Sequence, residues 1–208
     1  MRLLLSAFQY FAHLYSVAAS VALLRKQYFG PKYIGFLTAA ALAASAADGT
    51  FVDNSRVTCL RCCNNFLCLR PCQIEVALET RDFLAPLISS AASAHEGIRR
   101  EWSLLLRNVA ACLHSCRPSG FETQASYIAS LAIPILRAST ASSEENSWNA
   151  VLCLGTCLHM CKNPPKEAEV SPTMANDSKE VLLHVKATFA SSHPVHLITL
   201  EALELLQA

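Results

Sequence analysis

Apolar residues recur at three- and four-residue spacing along most of the chain, and no stretch makes a convincing β-strand. This spacing places apolar side chains on one face of an α-helix. The clearest case is residues 96–115, whose apolar stripe consists of Leu105, Val109, Cys112 and Leu113. The charged run at 99–101 is interpreted as the solvent-exposed start of that helix. The pattern therefore predicts an all-α protein.

The same spacing, interrupted by turn and capping signals, predicts nine or ten helices. Their approximate bounds are 2–25 (one long or two short helices), 32–46, 55–69, 73–91, 96–115, 121–138, 145–161, 178–190 and 195–207. Asp177 and Glu180 form a capping-box pattern before the helix at 178–190. Residues 162–177 contain three prolines and no apolar periodicity, so we expect a flexible loop there.

So many helices of moderate length cannot all be buried in one small bundle. Stacking them as antiparallel pairs buries a continuous core, as in armadillo and HEAT solenoids. We therefore expect a single armadillo/HEAT-like helical solenoid over residues 1–208. This expectation rests on the number and length of the helices, because the sequence shows no clean internal repeat.

Composition supports a folded domain and reveals an uneven charge distribution. Apolar residues make up 52% and charged residues 16% of the chain, which suits a core and is too little charge for disorder. Residues 1–117 hold twelve Lys/Arg against seven Asp/Glu, whereas residues 118–208 hold five against nine. The first part would therefore attract an acidic partner, although uneven charge on a solvated surface is also common.

The N-terminal segment has two interpretations. Residues 3–24 are rich in Leu and Ala after a single arginine, which resembles a signal peptide or a weak membrane span. Polar residues interrupt the run at Gln9 and His13, and the apolar positions fall at helical spacing. A buried helix is favoured. A membrane-anchored or organellar helical protein with a structural or interaction role remains the alternative.

Ten cysteines raise the question of a metal site. Cys59-x-x-Cys62 and Cys68-x-x-x-Cys72 could supply four thiolates for zinc. Cys59, Cys62 and Cys63 lie within a single turn of a predicted helix, however, and further cysteines recur on predicted helices at 112, 116, 153, 157 and 161. Free cysteine packs as a small apolar residue. Core packing is therefore favoured over zinc, disulfides or palmitoylation, and we expect no metal and no cofactor.

Catalytic motifs are also missing from the sequence. The seven histidines are scattered, and no P-loop, GxSxG or HExxH pattern occurs. Cys112 and His114 are two residues apart, so they do not face each other on a helix. We expect a protein that is not an enzyme, although a cysteine hydrolase whose partners meet only in space is not excluded by sequence. No nucleic-acid partner is expected.

A small polar set on otherwise apolar helices is the remaining candidate site. Arg61 and Asn65 are four residues apart and share a helix face. Asn108 interrupts an apolar helix next to Arg107. Asparagine and arginine on the concave face of a solenoid can hold a peptide by its backbone and carboxylates. The alternative is that these side chains satisfy helix ends or solvent.

Three segments in register resemble a known family. They are NSRVTCLRCCNNFLCLR from residue 54, SLLLRNVAACLHS from residue 103 and WNAVLCLGTCL from residue 148. The shared patterns are Leu-Arg-x-x-x-Asn from Leu60, Asn-x-x-x-Cys-x-His from Asn108, and Leu-Gly-Thr from Leu154. An aromatic residue, Trp148, precedes the last of these. The chain thus resembles the PUL domain, the C-terminal domain of phospholipase A2-activating protein and its ubiquitin-fusion-degradation relatives.

The resemblance implies an armadillo-like stack whose basic concave groove binds the C-terminal tail of valosin-containing protein, the ubiquitin-selective AAA ATPase. It implies peptide-binding roles for a basic and amide set: Arg61, Asn65, Arg107, Asn108 and Asn149. Where the family usually has a basic residue after the aromatic, this chain has Asn149, which removes one charge from the groove.

The expected function is accordingly a non-enzymatic adaptor in ubiquitin-dependent protein turnover. The expected location is the cytoplasm, with the nucleus as a second compartment, and a membrane is not an expected partner. The chain is short at its N-terminus for this domain, so we expect an N-terminally truncated form. The WD-repeat propeller and the ubiquitin-binding module of the best-known members are not seen in the sequence.

Overall fold

A computed structural model of the chain describes residues 95–117, 120–162 and 172–207, together with Val57, Leu60, Arg61 and Asn64. The first three ranges form five helices: α1 (Glu96–Cys116), α2 (Phe121–Arg137), α3 (Glu144–Lys162), α4 (Pro172–Thr188) and α5 (Pro194–Gln207). The four earlier residues are also helical. No strand occurs in this part of the chain, and the predicted all-α class is confirmed for it.

Most helices predicted before residue 95, and the N-terminal segment 3–24, lie outside the described residues. Within the described ranges, no helix has the length and apolar content needed to cross a membrane.

The chain divides into two compact units, Met1–Leu105 and Leu106–Ala208, with the boundary inside α1. In the first unit, Ile98, Trp102 and Leu105 form the buried stripe at the start of α1, each 2% exposed or less. A side chain at Gly97 would approach Val57 to 3.3 Å, so glycine permits close packing of the earlier helical segment there.

The exposure of the charged residues at 99–101, at the start of α1, differs from the prediction. Arg100 is exposed and Arg99 half-buried, but Glu101 is only 6% exposed. Sequence periodicity assigns charged residues to the solvent face because an unpaired buried charge is costly. Here the cost is offset by partners from the segment at 57–64, which lies far away in sequence.

In the second unit, helices α2 to α5 pack against one another. Helix α2 packs against α3 and α4, and α5 packs against α3 and α4. The core includes Ile128, Leu136, Leu154 and Leu182, all 2% exposed or less. Helices α2 to α5 therefore contact helices one and two places away in the chain.

Helix α4 begins at Pro172, inside the segment 162–177 that the sequence predicts as a loop, and residues 163–171 lie outside the described residues. Proline lacks a backbone N–H and has a helical φ, so it fits the first position of a helix. Asp177 is therefore inside α4 and is not its cap. Its carboxylate lies 3.5 Å from Arg137, and that of Glu180 lies 3.9 Å from the same guanidinium.

The described cysteines pack mainly in the core. Cys112, Cys153, Cys157 and Cys161 are 4% exposed or less, and Cys116 is half-buried. The core-packing interpretation is confirmed for those four. No group of three or more potential metal ligands occurs among the residues that the structure describes. The five cysteines between 54 and 72 lie outside them.

Candidate functional site

Arg61 is held by a buried carboxylate of α1. Its Nε and Nη2 atoms donate to Glu101 Oε1 at 2.9 and 2.8 Å. The two side chains differ in environment, since Arg61 is 54% exposed and Glu101 only 8%. Part of the guanidinium therefore remains accessible from solvent. The pair fixes the direction of Arg61 while leaving it available for an anionic ligand.

Asn64 also contacts Glu101, the residue that pairs with Arg61. Its Nδ2 donates to the backbone oxygen of Glu101 at 2.9 Å and to Oε2 at 3.2 Å, and the residue is 3% exposed. Asn64 therefore stabilises the start of α1. Asn65, which the sequence pattern favoured, lies outside the described residues, so its predicted role stays a prediction.

A second polar pair joins α1 to α3 in the second unit. Arg107 Nη1 donates to Asn149 Oδ1 at 2.9 Å. Asn149 is 2% exposed, whereas Arg107 and the neighbouring Asn108 are half-buried. The structure thus brings together two of the predicted peptide-binding residues. Asn149 acts as a buried acceptor that orients the guanidinium of Arg107.

The amide at position 149 is explained by this contact. A basic side chain there would place a second positive charge beside Arg107 in a buried position, which is unfavourable. An amide oxygen instead accepts a hydrogen bond from Arg107. The positive charge at this point of the second unit is supplied by Arg107.

A surface groove of about 590 Å³ lies among α1, α3 and α5 of the second unit. Its first wall holds His114 of α1 and Thr156 and His159 of α3. The two imidazole rings lie 5.7 Å apart, centroid to centroid, with their planes tilted by 49°. We call this concavity the α1–α3–α5 groove.

The opposite wall of the α1–α3–α5 groove is formed by α5 and is acidic. Glu201 and Glu204 line it and are exposed. The floor is apolar and includes Leu152 and Ile198, while Gly155 lies close to Ala202. An apolar floor with a few polar groups at the rim is the usual form of a ligand-binding concavity.

Two buried thiols of α3 are poorly suited to nucleophilic chemistry. A side-chain hydrogen bond with Cys153, and then burial, raise the pKa of the Cys157 thiol well above its ordinary value. Burial also raises the pKa of Cys161, against a smaller lowering by the hydroxyl of Ser126. Because the thiolate is the reactive form, both groups are inert packing residues at neutral pH.

Sequence reasoning missed the acidic residues of these sites. Glu101 was assigned to solvent, and Glu201 and Glu204 were counted only in the overall charge. Their one-turn spacing on an apolar helix was an available signal for the last two. For Glu101 the sequence holds no local signal, since its partners lie about forty residues away.

The sequence model of the family described as the PUL domain matches residues 16–197. No curated protein and no solved structure shows significant similarity to the chain.

Proposed function

The chain belongs to the PUL domain family, and from this membership we propose that it is an adaptor for the C-terminal tail of valosin-containing protein. PUL domains are protein-interaction modules and are not catalytic. The proposed setting is ubiquitin-dependent protein turnover in the cytoplasm and nucleus. The tail of this ATPase would be held by its acidic side chains and its terminal carboxylate.

The proposed architecture is one armadillo-like solenoid of nine or ten helices spanning residues 1–208. The contacts among α2 to α5 support it, because each of these helices contacts helices one and two places away along the chain, as stacked helical pairs do. Repeated pairs of this kind present one helix of each pair on a concave surface.

The observation that carries the proposal is the contact between Arg107 and Asn149. A guanidinium that is already oriented by a buried acceptor loses less rotamer freedom when it binds a carboxylate. Arg107 has further N–H donors beyond the Nη1 group that contacts Asn149. We propose Arg107 as the carboxylate contact, Asn149 as its positioning residue, and Asn108 as a backbone contact for the peptide.

Arg61 and Asn65 are proposed as further contacts to be tested on their own. The exposed part of the Arg61 guanidinium can bind an anion while its Nε and Nη2 atoms donate to Glu101. A variant of Arg61 also disturbs that ion pair, so its folded stability has to be measured alongside its binding.

The test is a fluorescence anisotropy titration of the labelled ATPase tail peptide. Replacing Arg107 by alanine should weaken binding about tenfold, since a charge-assisted contact to a carboxylate is lost. Asn149→Ala should weaken it less, because the guanidinium is kept and only its orientation is lost. Arg137→Ala is the matched control: it removes an exposed arginine that already faces Asp177 and Glu180.

Equal affinity of the unmodified chain and the Arg107→Ala variant would overturn the assignment of Arg107. Absence of saturable binding by the unmodified chain would overturn the proposed partner. Far-UV circular dichroism of each variant separates either result from unfolding.

A further inference from the structure

We propose that the α1–α3–α5 groove is a second docking site, which binds a protein segment carrying a basic side chain beside an apolar one. This ligand is opposite in charge to an acidic ATPase tail, so the inference goes beyond the proposed function. All of the lining residues belong to the second unit.

The negative charge of the α5 wall favours a ligand with a basic side chain. Glu201 and Glu204 are three residues apart, so they lie on one face of the helix, where like charges repel. Within the described ranges, no lysine or arginine forms an ion pair with either carboxylate. A lysine or arginine of a ligand would offset this repulsion, whereas an acidic ligand would increase it.

The floor of the groove carries the second step. Leu152, Ile198 and Leu205 line it and are only partly buried, so the groove presents apolar surface to solvent. Its volume of about 590 Å³ is within the usual range for ligand sites. An apolar side chain of the ligand would cover this surface.

The histidine wall carries the third step. His114 and His159 are next to each other at the rim, together with the hydroxyl of Thr156. The ring nitrogens of His114 can hydrogen-bond to the N–H or C=O groups of an extended peptide. The groove therefore combines polar groups for a peptide backbone with an apolar floor and two carboxylates for a cation, and a nucleic acid would be repelled by those carboxylates.

The inference is tested with two labelled hexapeptides titrated into the full chain at low salt. One alternates leucine with arginine, and the other alternates leucine with glutamate. We expect saturable binding of the first only, and weaker binding when salt is raised, because the exposed carboxylates become screened.

Variants of the acidic wall test the charge. Glu201→Gln with Glu204→Gln should weaken the leucine–arginine peptide about fivefold, the sum expected for two exposed ion pairs. The matched control is Glu144→Gln with Glu180→Gln, which removes the same charge from exposed positions outside the groove. This control should leave the affinity unchanged.

Variants of the floor test the location. Among the described residues, a Cβ at Gly155 would meet Ala202 at an ordinary 3.6 Å, so the helix backbone tolerates a side chain at this position. Gly155→Leu would fill part of the groove and should abolish binding of the leucine–arginine peptide. Equal binding of the two peptides, no binding of the first, or no effect of the acidic-wall variants would each overturn the inference.

The ATPase tail peptide, titrated in parallel, separates this inference from the proposed function. Loss of the acidic wall should not weaken the tail, and Arg107→Ala should not weaken the leucine–arginine peptide. If the tail fails to bind while the leucine–arginine peptide behaves as expected, only the proposed function fails.

Discussion

Replacing the two members of the Arg61–Glu101 ion pair should have unequal effects on stability. Arg61→Ala leaves the carboxylate of Glu101, which is 8% exposed, without its cation. Glu101→Leu leaves only the guanidinium of Arg61, which is 54% exposed and can be solvated where it stands. The loss should therefore be larger when the exposed partner is removed.

The size of each loss of stability depends on how deeply the remaining charged side chain is buried. Breaking a fully buried ion pair by removing one partner costs about 3–5 kcal/mol. Half of Arg61 is in solvent, so screening reduces this, and we expect about 2 kcal/mol for Arg61→Ala. Glu101→Leu should cost about 1 kcal/mol or less, because it removes the buried charge. Asn64 keeps its 2.9 Å bond to the backbone oxygen at position 101 in either case.

The assay is urea unfolding followed by the fluorescence of Trp102, which is fully buried next to Glu101. A Trp148→Phe background removes the only other tryptophan of the chain. The double variant Arg61→Ala with Glu101→Leu should be more stable than Arg61→Ala alone, because it removes the uncompensated carboxylate. The reasoning is refuted if Glu101→Leu is the more damaging single change, or if the double variant is the least stable of the three.

Three further predictions concern single positions in the second unit. Ser178→Ala should stabilise the fold by about 1 kcal/mol, since the Ser178 hydroxyl is buried without a partner in the described structure; a lower urea midpoint would contradict this. Gly120→Ala should lower the free energy of unfolding by about 1 kcal/mol, because φ there is +74°. Gly155→Ala lies inside a helix with room for a methyl group and should raise it by about 0.5–1 kcal/mol. The melting temperatures of the two variants should therefore shift in opposite directions. The raised pKa of Cys157 predicts that the contribution of this thiol to stability is fully present well below the pKa of an unfolded thiol and falls as the pH rises through it, because the unfolded thiol ionises first; urea midpoints measured at rising pH should show the fall, and Cys157→Ala should reduce it.

Helix positions were largely predictable, because they depend on local periodicity. Helix α1 was expected at 96–115 and occupies Glu96–Cys116, and α5 was expected at 195–207 and occupies Pro194–Gln207. The start of α4 was not predicted correctly. The proline-rich stretch was interpreted as a loop throughout, whereas its last proline, Pro172, is the first residue of the helix. Local signals therefore predicted the elements better than their first turns.

The site was predictable only in part, because its partners are far apart in sequence. Arg107 and Asn149 were both expected at a peptide site, but their direct contact joins residues forty-two positions apart. Asn64 and Glu101 gave no local indication that they meet. The α1–α3–α5 groove likewise depends on packing, although His114, Gly155 and Thr156 belong to the motifs that carried the family resemblance.

The central claim, that this PUL domain docks the C-terminal tail of valosin-containing protein, is tested most directly with the intact ATPase. Isothermal titration of the chain should be made against the full-length ATPase and against a form lacking only its C-terminal tail. We predict saturable binding to the first and none to the second, with the free tail peptide competing with the full-length ATPase for the chain. Equal binding to the two forms of the ATPase would contradict the claim.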